Sequence, residues 1–419
     1  MTKSKRITLN KRRVAMILSG GGARGAYAVG VLSYIFDDLT RVRGAPPRLD
    51  ILSGTSVGAI NACALAAHHD ETDHGAGQLA DRWRELRLDD VFRLGWGDLA
   101  GLARWLFGST RPDGPQSLLD ATPLAELVRT TIPWRDLHQG LADGKVLGVT
   151  VSATDIETGH TVVFVESAGQ GGHVSRDRAV DWVDARLTAQ HALASAAIPI
   201  IFPAVRVAGR MYSDGSLRQN TPIAPALRLG AGRVLVIGLR SRAAPRGAGR
   251  QDEQDQQAYA SPLFLFGKLL DALLLDRVEN DLFNLRQVNA ALAELQHISP
   301  IAIGREPLAA ALETAGGGMR PVADLFIRPS QDLGQLAASV LSRSSVRARL
   351  SGPAGYLLRR LGEGASGGDP SDLLSYLLFD AEYASELMDL GERDARARKD
   401  ELELFLAAPE QAQPRKAGP

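Results

Sequence analysis

With 419 residues, 45% of them hydrophobic, the chain is long enough to bury the core of one large α/β domain with an extension, or of two domains. Its 48 acidic residues balance 48 basic ones, which removes any overall field favouring nucleic acid or a strongly charged membrane surface. A lone cysteine, Cys63, in the apolar stretch Asn61 to Ala67 excludes an internal disulfide and fits a buried small side chain in a reducing compartment.

The N-terminus sets Lys3, Lys5, Arg6, Lys11, Arg12 and Arg13 ahead of any acid, and the apolar run behind them, Val14 to Leu18, is too short for a signal-peptide core. Residues 1–12 therefore read as a basic tail leading into a first strand, Val14 to Ser19. A helix over Ala26 to Phe36, a strand over Leu49 to Ser53 and a helix over Val57 to Ala67 follow, an alternation that predicts a parallel sheet. Further strands are expected at Val146 to Ala153, Thr161 to Val165, Val205 to Val207, Val234 to Leu239 and Asp324 to Arg328, with helices between most of them. Trp96 to Phe107 is an apolar segment that reads first as core packing, with a mobile cover or an interfacial contact as alternatives.

Ser241 to Gln257 is short of bulky apolar residues and reads as an exposed loop, bounded at 241–260. Apolar residues then recur at Phe266, Leu270, Leu274, Val278, Leu282, Leu285, Val288, Leu292 and Leu295, the stripe of a long helix that reads first as packing against the sheet or another helix, with a membrane-facing role as the alternative. The expectation is an α/β fold: a mainly parallel central sheet flanked by helices over 13–334, a helical extension over 335–407 broken near Gly362 to Asp372, and a disordered tail over 408–419. No stretch offers the ~18 uninterrupted apolar residues of a membrane span, so a cytoplasmic chain with at most peripheral membrane contact is expected.

Three segments carry chemistry. Gly54-Thr55-Ser56-Val57-Gly58 follows a strand and opens a helix, the context in which G-x-S-x-G becomes a sharp turn that lifts a serine hydroxyl above the sheet edge. Serine needs a base to become a nucleophile, and without one the same pentapeptide is an ordinary glycine-flanked turn. Upstream, Gly20-Gly21-Gly22-Ala23-Arg24-Gly25 also joins a strand to a helix, so its unhindered amides can converge on an anion.

That anion is either the pyrophosphate of a dinucleotide, since Gly20, Gly22 and Gly25 satisfy G-x-G-x-x-G, or the oxyanion of an acyl intermediate, where such a donor contributes roughly 2.7 to 4 kcal/mol. A dinucleotide site wants an acid at the end of the second strand, and that position holds Gly54-Thr55-Ser56 instead. Both glycine turns belong at the C-terminal edge of neighbouring strands, where open α/β sheets place their sites. The third segment, Tyr212-Ser213-Asp214-Gly215-Ser216, is by itself a common turn.

With Ala194-Ser195-Ala196-Ala197-Ile198-Pro199 running into Phe202-Pro203, and with Ala153-Thr154-Asp155 and Thr158-Gly159, these segments stand in the order and rough spacing of the patatin-like phospholipases. The chain resembles that family from about Arg13 to Leu239. The resemblance implies a dyad in which Ser56 attacks an ester carbonyl and Asp214 accepts its proton. It also implies an oxyanion loop of Gly20, Gly21, Gly22 and Gly25, with Arg24 at the family's basic position and Gly54 and Gly58 shaping the elbow. Ser216 departs from the pattern, which has Gly or Ala there.

A conventional triad would instead recruit His297 to Asp214 and Ser56. His68-His69 with Asp70 and His74 is the nearest approach to a metal cluster and reads as a solvated loop, so neither metal nor cofactor is expected. The expected function is a lipid acyl hydrolase, a phospholipase A or lysophospholipase-like esterase whose partner is a lipid ester and not nucleic acid. The alternative is a non-catalytic nucleotide- or lipid-binding α/β module that uses the glycine loop for phosphate.

Overall fold

The computed structural model describes residues 13–69, 75–95, 119–169, 177–241, 278–302, 320–363 and 371–407. The basic tail, the Trp96 to Phe107 segment, all of the 241–260 loop beyond Ser241, Phe266, Leu270, Leu274, Asp70, His74 and the tail from 408 lie outside them, as do the side chains of Leu295 and His297.

Among the described residues, one sheet holds β1 (Val14–Leu18), β2 (Ile51–Thr55), β3 (Gly148–Asp155), β4 (Thr161–Ser167), β5 (Val180–Asp184), β6 (Val205–Val207), β7 (Arg210–Asp214), β8 (Arg233–Ile237) and β9 (Ala323–Ile327). The order is β5-β4-β3-β2-β1-β8-β9, with β7 added to β3 and β6 to β7. The run β3-β2-β1-β8-β9 is parallel throughout. Antiparallel pairing enters at β3–β4 and β6–β7, where connections are too short for a crossover, and at β3–β7, which are distant in sequence. Ile156 to His160 turn β3 directly into β4, with the Asp155 carboxylate accepting from the amides of Glu157 and Thr158. Ala208 and Gly209, both at positive φ (47° and 88°), form the two-residue turn between β6 and β7.

β1 is buried along its whole length, and its side chains alternate between two cores. Ala15 and Ile17 face a smaller cluster with Val163, Ile223, Val234, Val278 and Leu282, while Val14, Met16 and Leu18 face the main one. The main cluster holds α1 (Gly25–Ser33) and α2 (Val57–Ala67), and it draws in α3 (Ala76–Glu85), α4 (Thr122–Thr131), α5 (Ala189–Ser195), α6 (Ser371–Leu377) and α7 (Ala381–Arg396). Cys63 is fully buried there, and desolvation pushes its thiol pKa up.

Several expected elements shift. The helix expected through Phe36 is α-helical only to Ser33 and then loosens into a π turn, Tyr34–Asp38. The second strand, expected to end at Ser53, continues to Thr55. β5 and β7 were not expected as strands at all. In the long helix Val278–Ala302 the stripe packs at Val278, Leu282 and Leu292 but leaves Val288 exposed.

The C-terminal helices join the sheet's own core, and α1 and α7 approach at two glycines. A Cβ on Gly30 would lie 2.0 Å from the Met388 carbonyl oxygen, and one on Gly391 would lie 2.2 Å from that of Tyr27. Backbone on both sides leaves nothing flexible to yield. Gly391→Ala is therefore expected to lower unfolding free energy by about 1–3 kcal/mol in denaturant titration, and wild-type stability in that variant would contradict this packing.

Candidate active site

The register of the sheet brings the first two groups together. β2 pairs with β3 until Thr55 faces Ser152, but β3 runs three residues further, and there β7 takes the place of β2 with Asp214 opposite Ala153. Asp214 thus enters the sheet one step beyond the end of β2, where Ser56 leaves it. The Ser56 hydroxyl donates to Asp214 Oδ2 over 2.6 Å.

Ser56 adopts φ 57°, a left-handed conformation that costs a side-chain-bearing residue energy and persists only when its surroundings enforce it. The enforcement is visible. A Cβ on Gly54 would meet the Gly58 carbonyl oxygen at 2.3 Å, and one on Gly58 would meet that of Leu18 at 2.2 Å, so both glycines are required for this elbow. The Ser56 amide donates to Ser195 Oγ at 2.8 Å, and Ser195 Oγ donates in turn to the Ser152 carbonyl at 2.5 Å, tying the elbow to β3 through α5. Ser195 lies in the Ala194 to Pro199 segment that carries part of the family resemblance, with no role assigned to it there, and Ser152 falls within the strand expected at Val146 to Ala153; neither is a candidate site residue in the sequence. Their one signal was a hydroxyl amid small apolar neighbours.

Asp214 is fully buried, and desolvation pushes its pKa up to about 6 against the opposing hydrogen bonds from Ser56 and from the Ser216 amide. Its two oxygens are divided between these donors, since Oδ1 accepts from the Ser216 amide at 2.7 Å. The backbone is fixed as well: the Asp214 amide donates to the Ala197 carbonyl, and Thr154 Oγ1 donates to the Asp214 carbonyl. The histidines with described partners sit elsewhere. His138 contacts Glu166 and His160 contacts Asp181, while His191 bonds Thr188, its pKa lowered to about 4 by burial.

The glycine turn lies against this pair. A Cβ on Gly20 would strike Ser216 Oγ at 2.3 Å and the Ser56 Cβ at 2.9 Å, so only glycine lets the loop approach. The Gly20 amide is held by Asn220 Oδ1 at 2.9 Å, whereas the amides of Gly21 and Gly22 find no acceptor among the described residues. Asn220 Nδ2 is buried beside them with no hydrogen-bond partner among the described residues. Gly25 packs on the Val57 side chain. Arg24 is buried, and its guanidinium is engaged by Asp372, Ser375 and Tyr376 of the C-terminal region.

From Ser56 and Gly22 an apolar cavity of about 110 Å³ runs between α2, α3 and α4, lined by Ile60, Ala64, Leu79, Trp83, Val128 and Phe202 among others. That is far more than the ~10–15 Å³ one water needs, and so apolar a lining favours hydrocarbon. A hydroxyl on a buried carboxylate, two open amides and an apolar cavity together suit nucleophilic attack on an acyl group with a hydrocarbon chain. Among the described residues no three His, Cys, Asp or Glu side chains are grouped to hold a metal ion, and no helix is long and apolar enough to cross a membrane.

Comparison with known proteins agrees with this chemistry. An uncharacterized protein of Acanthamoeba polyphaga mimivirus, L620, is 36% identical over 63 residues, a stretch that covers 15% of this chain and only 16% of that protein. Among solved structures, VipD from Legionella pneumophila aligns over 90% of this chain and 92% of its own at 14% identity and a TM-score of 0.31, a likeness too slight to carry weight. The model of the patatin-like phospholipases matches residues 16–227, a span of just over half the sequence that takes in the glycine turn, the serine elbow and the aspartate. The chain belongs to the patatin-like phospholipase family.

Proposed function

We propose that this protein is a lipid acyl hydrolase that cleaves carboxylic esters with Ser56 as nucleophile and Asp214 as its base. The observation that carries the reading is the 2.6 Å hydrogen bond from Ser56 Oγ to a fully buried carboxylate at the head of an apolar cavity. In the acylation step Ser56 Oγ bonds to the ester carbonyl carbon as its proton passes to Asp214 Oδ2. Negative charge on the carbonyl oxygen is met by the open amides of Gly21 and Gly22. Collapse of the tetrahedral species breaks the ester bond, and the proton on Asp214 goes to the departing alcohol. Water then repeats the sequence on the acyl-enzyme, and Ser56 is restored.

Burial gives the carboxylate the basicity this requires. An aspartate at its ordinary value near 4 is a weak base toward a serine, and about 6 brings it closer to working pH. The cavity accounts for the acyl chain. Its lining extends from Ser56, the N-cap of α2, to Ala64, from Leu79 in α3 to its C-cap Leu86, and along α4 from Leu124 to Thr131. At the helical rise each stretch spans about 10–12 Å. An extended chain of about eight to ten carbons fills that length, given ~1.5 Å carbon–carbon bonds in zigzag.

The first test is covalent. A fluorophosphonate should label Ser56, and Ser56→Ala should abolish labelling and lower ester turnover by at least about 10³-fold. An unlabelled, folded protein stabilised against heat by NAD would instead point to a dinucleotide at the glycine loop.

The second test is pH. Because the carboxylate must be ionised, kcat/KM should rise through a pKa of about 6 and fall tenfold per unit below it. A profile flat from pH 5 to 8 would remove Asp214 as base. Stability has the opposite sign. The folded pKa is raised, so the cost of burying the ionised group is absent below the unfolded value near 4 and fully present above about 6, on the order of 3 kcal/mol. Asp214→Asn should therefore lose activity at pH 7 while melting no lower than wild type.

The third test is chain length. A p-nitrophenyl ester series should peak at medium chains, and Ala64→Phe, two helical turns from Ser56, should move the optimum to shorter ones. An unchanged profile would place the acyl chain elsewhere.

A further inference from the structure

Arg24 stands two residues beyond Gly22, and its own amide donates to the Gly21 carbonyl at 3.2 Å, closing the 3₁₀ turn Gly22–Arg24. A basic residue in that place could be expected to project toward an anion. It is instead only 3% exposed and fully committed inside the protein. Its Nε donates to Ser375 Oγ at 2.7 Å, Nη2 to Asp372 Oδ1 at 3.3 Å and Nη1 to the Tyr376 hydroxyl at 3.4 Å, and the guanidinium lies 4.1 Å from the centroid of the Tyr376 ring. Burying a guanidinium requires such pairing, and its planar fork fixes direction as well as charge. Ser375 Oγ also donates to the Asp372 carbonyl at 2.5 Å, so the acceptors are themselves held in place.

A second contact reaches the same turn from below. Gly22 has φ +56°, and a Cβ there would come within 2.4 Å of the Tyr376 carbonyl oxygen. Backbone of α6 therefore backs the residue whose amide is open, while α6 side chains grip the residue two places on. These partners lie 348 to 352 positions away in sequence and outside the span matched by the family, 16–227.

We infer that the C-terminal segment Asp372–Tyr376 is a positioning element of the active site, which sets the Gly21 and Gly22 amides through Arg24. This rests on the oxyanion role given to those amides above. Arg24 itself touches no substrate in this arrangement. Its charge is spent on α6, and what it transmits is the position of the turn. Displacing oxyanion donors by a fraction of an ångström weakens the transition state more than the bound ester, so the loss falls on kcat rather than on KM.

The test compares Ser375→Ala and the double variant Arg24→Met/Asp372→Leu with wild type, reading kcat, KM, melting temperature and inhibition by a trifluoromethyl ketone. That inhibitor adds reversibly to the serine and carries negative charge on the former carbonyl oxygen. Apolar replacement of a buried ion pair is often neutral for stability, so the double variant should melt near wild type. Both variants should lose kcat, by up to about 100-fold in the double variant, with KM held and with ketone affinity falling in parallel. Wild-type kcat in either folded variant would overturn the inference. So would a loss of kcat that follows melting temperature while ketone affinity stays unchanged, since that is what mere structural support produces. Should the double variant not fold, Ser375→Ala decides alone. If wild type neither turns over esters nor takes up fluorophosphonate, it is the hydrolase reading that fails, whereas an active wild type with indifferent variants sinks only the positioning role.

Discussion

The site depends on β3 being three residues longer than β2. Had the two strands ended together, the sheet would offer no place for β7, and the carboxylate of Asp214 would have no framework holding it beside Ser56. The overhang makes Ala153 the partner of Asp214 while Ser152, one residue back, still pairs with Thr55. Ladder hydrogen bonds thereby fix, to within a side chain's reach, two residues 158 positions apart. The elbow and the bridging hydroxyl of Ser195 refine a meeting already set by register. Because side chains alternate along a strand, a one-residue slip would turn Asp214 to the other face.

The family's likeness and the physical reading of the motifs meet at this point. A glycine-flanked serine, a glycine turn and a distant aspartate are each commonplace. Their value comes from parallel order: β1 and β2 are neighbours, Leu18 faces Gly54, and the turns after both strands open at one edge of the sheet. Burial then alters the chemistry of what the topology gathers. Desolvation raises the Asp214 pKa to about 6, so the proposed reaction would have a stronger base there than a carboxylate in water.

Much of this was legible in the sequence, and the gaps have physical causes. The helix over Val57–Ala67 and the strand over Val205–Val207 fall where periodicity put them, and the alternation at the start of the chain does become parallel sheet. The second strand is expected to end at Ser53, with the Gly54-Thr55-Ser56 turn after it, and both Ser53 and Thr55 carry hydroxyls. Inside the protein those hydroxyls find internal acceptors, Ser53 Oγ at the Pro222 carbonyl and Thr55 Oγ1 at the Gln219 carbonyl, so the strand continues without penalty. β5 and β7 carry charged residues within five-residue runs and are stabilised by neighbouring strands rather than by their own composition. The engagement of Arg24 could not be read at all. Local pattern carries no information on a partner some 350 residues away: Asp372 falls at the edge of the expected helix break, and Ser375 and Tyr376 look like ordinary helix residues until the fold is seen.

The distance between Arg24 and its partners has a consequence for how the molecule is made. A ribosome that has finished residue 227 has supplied the serine, the aspartate and every glycine of the turn, yet none of the groups that neutralise the guanidinium. Until residues 372–376 emerge, that charge must stay in water or sit uncompensated in a half-built interior, and the second course is strongly disfavoured. The loop-closing step is therefore late and long-range, of the kind that is slow and leaves apolar surface open while it waits. Assembly of the N-terminal sheet and completion of the glycine turn at its edge are separate events in the life of the chain, and the second waits for residues 372–376.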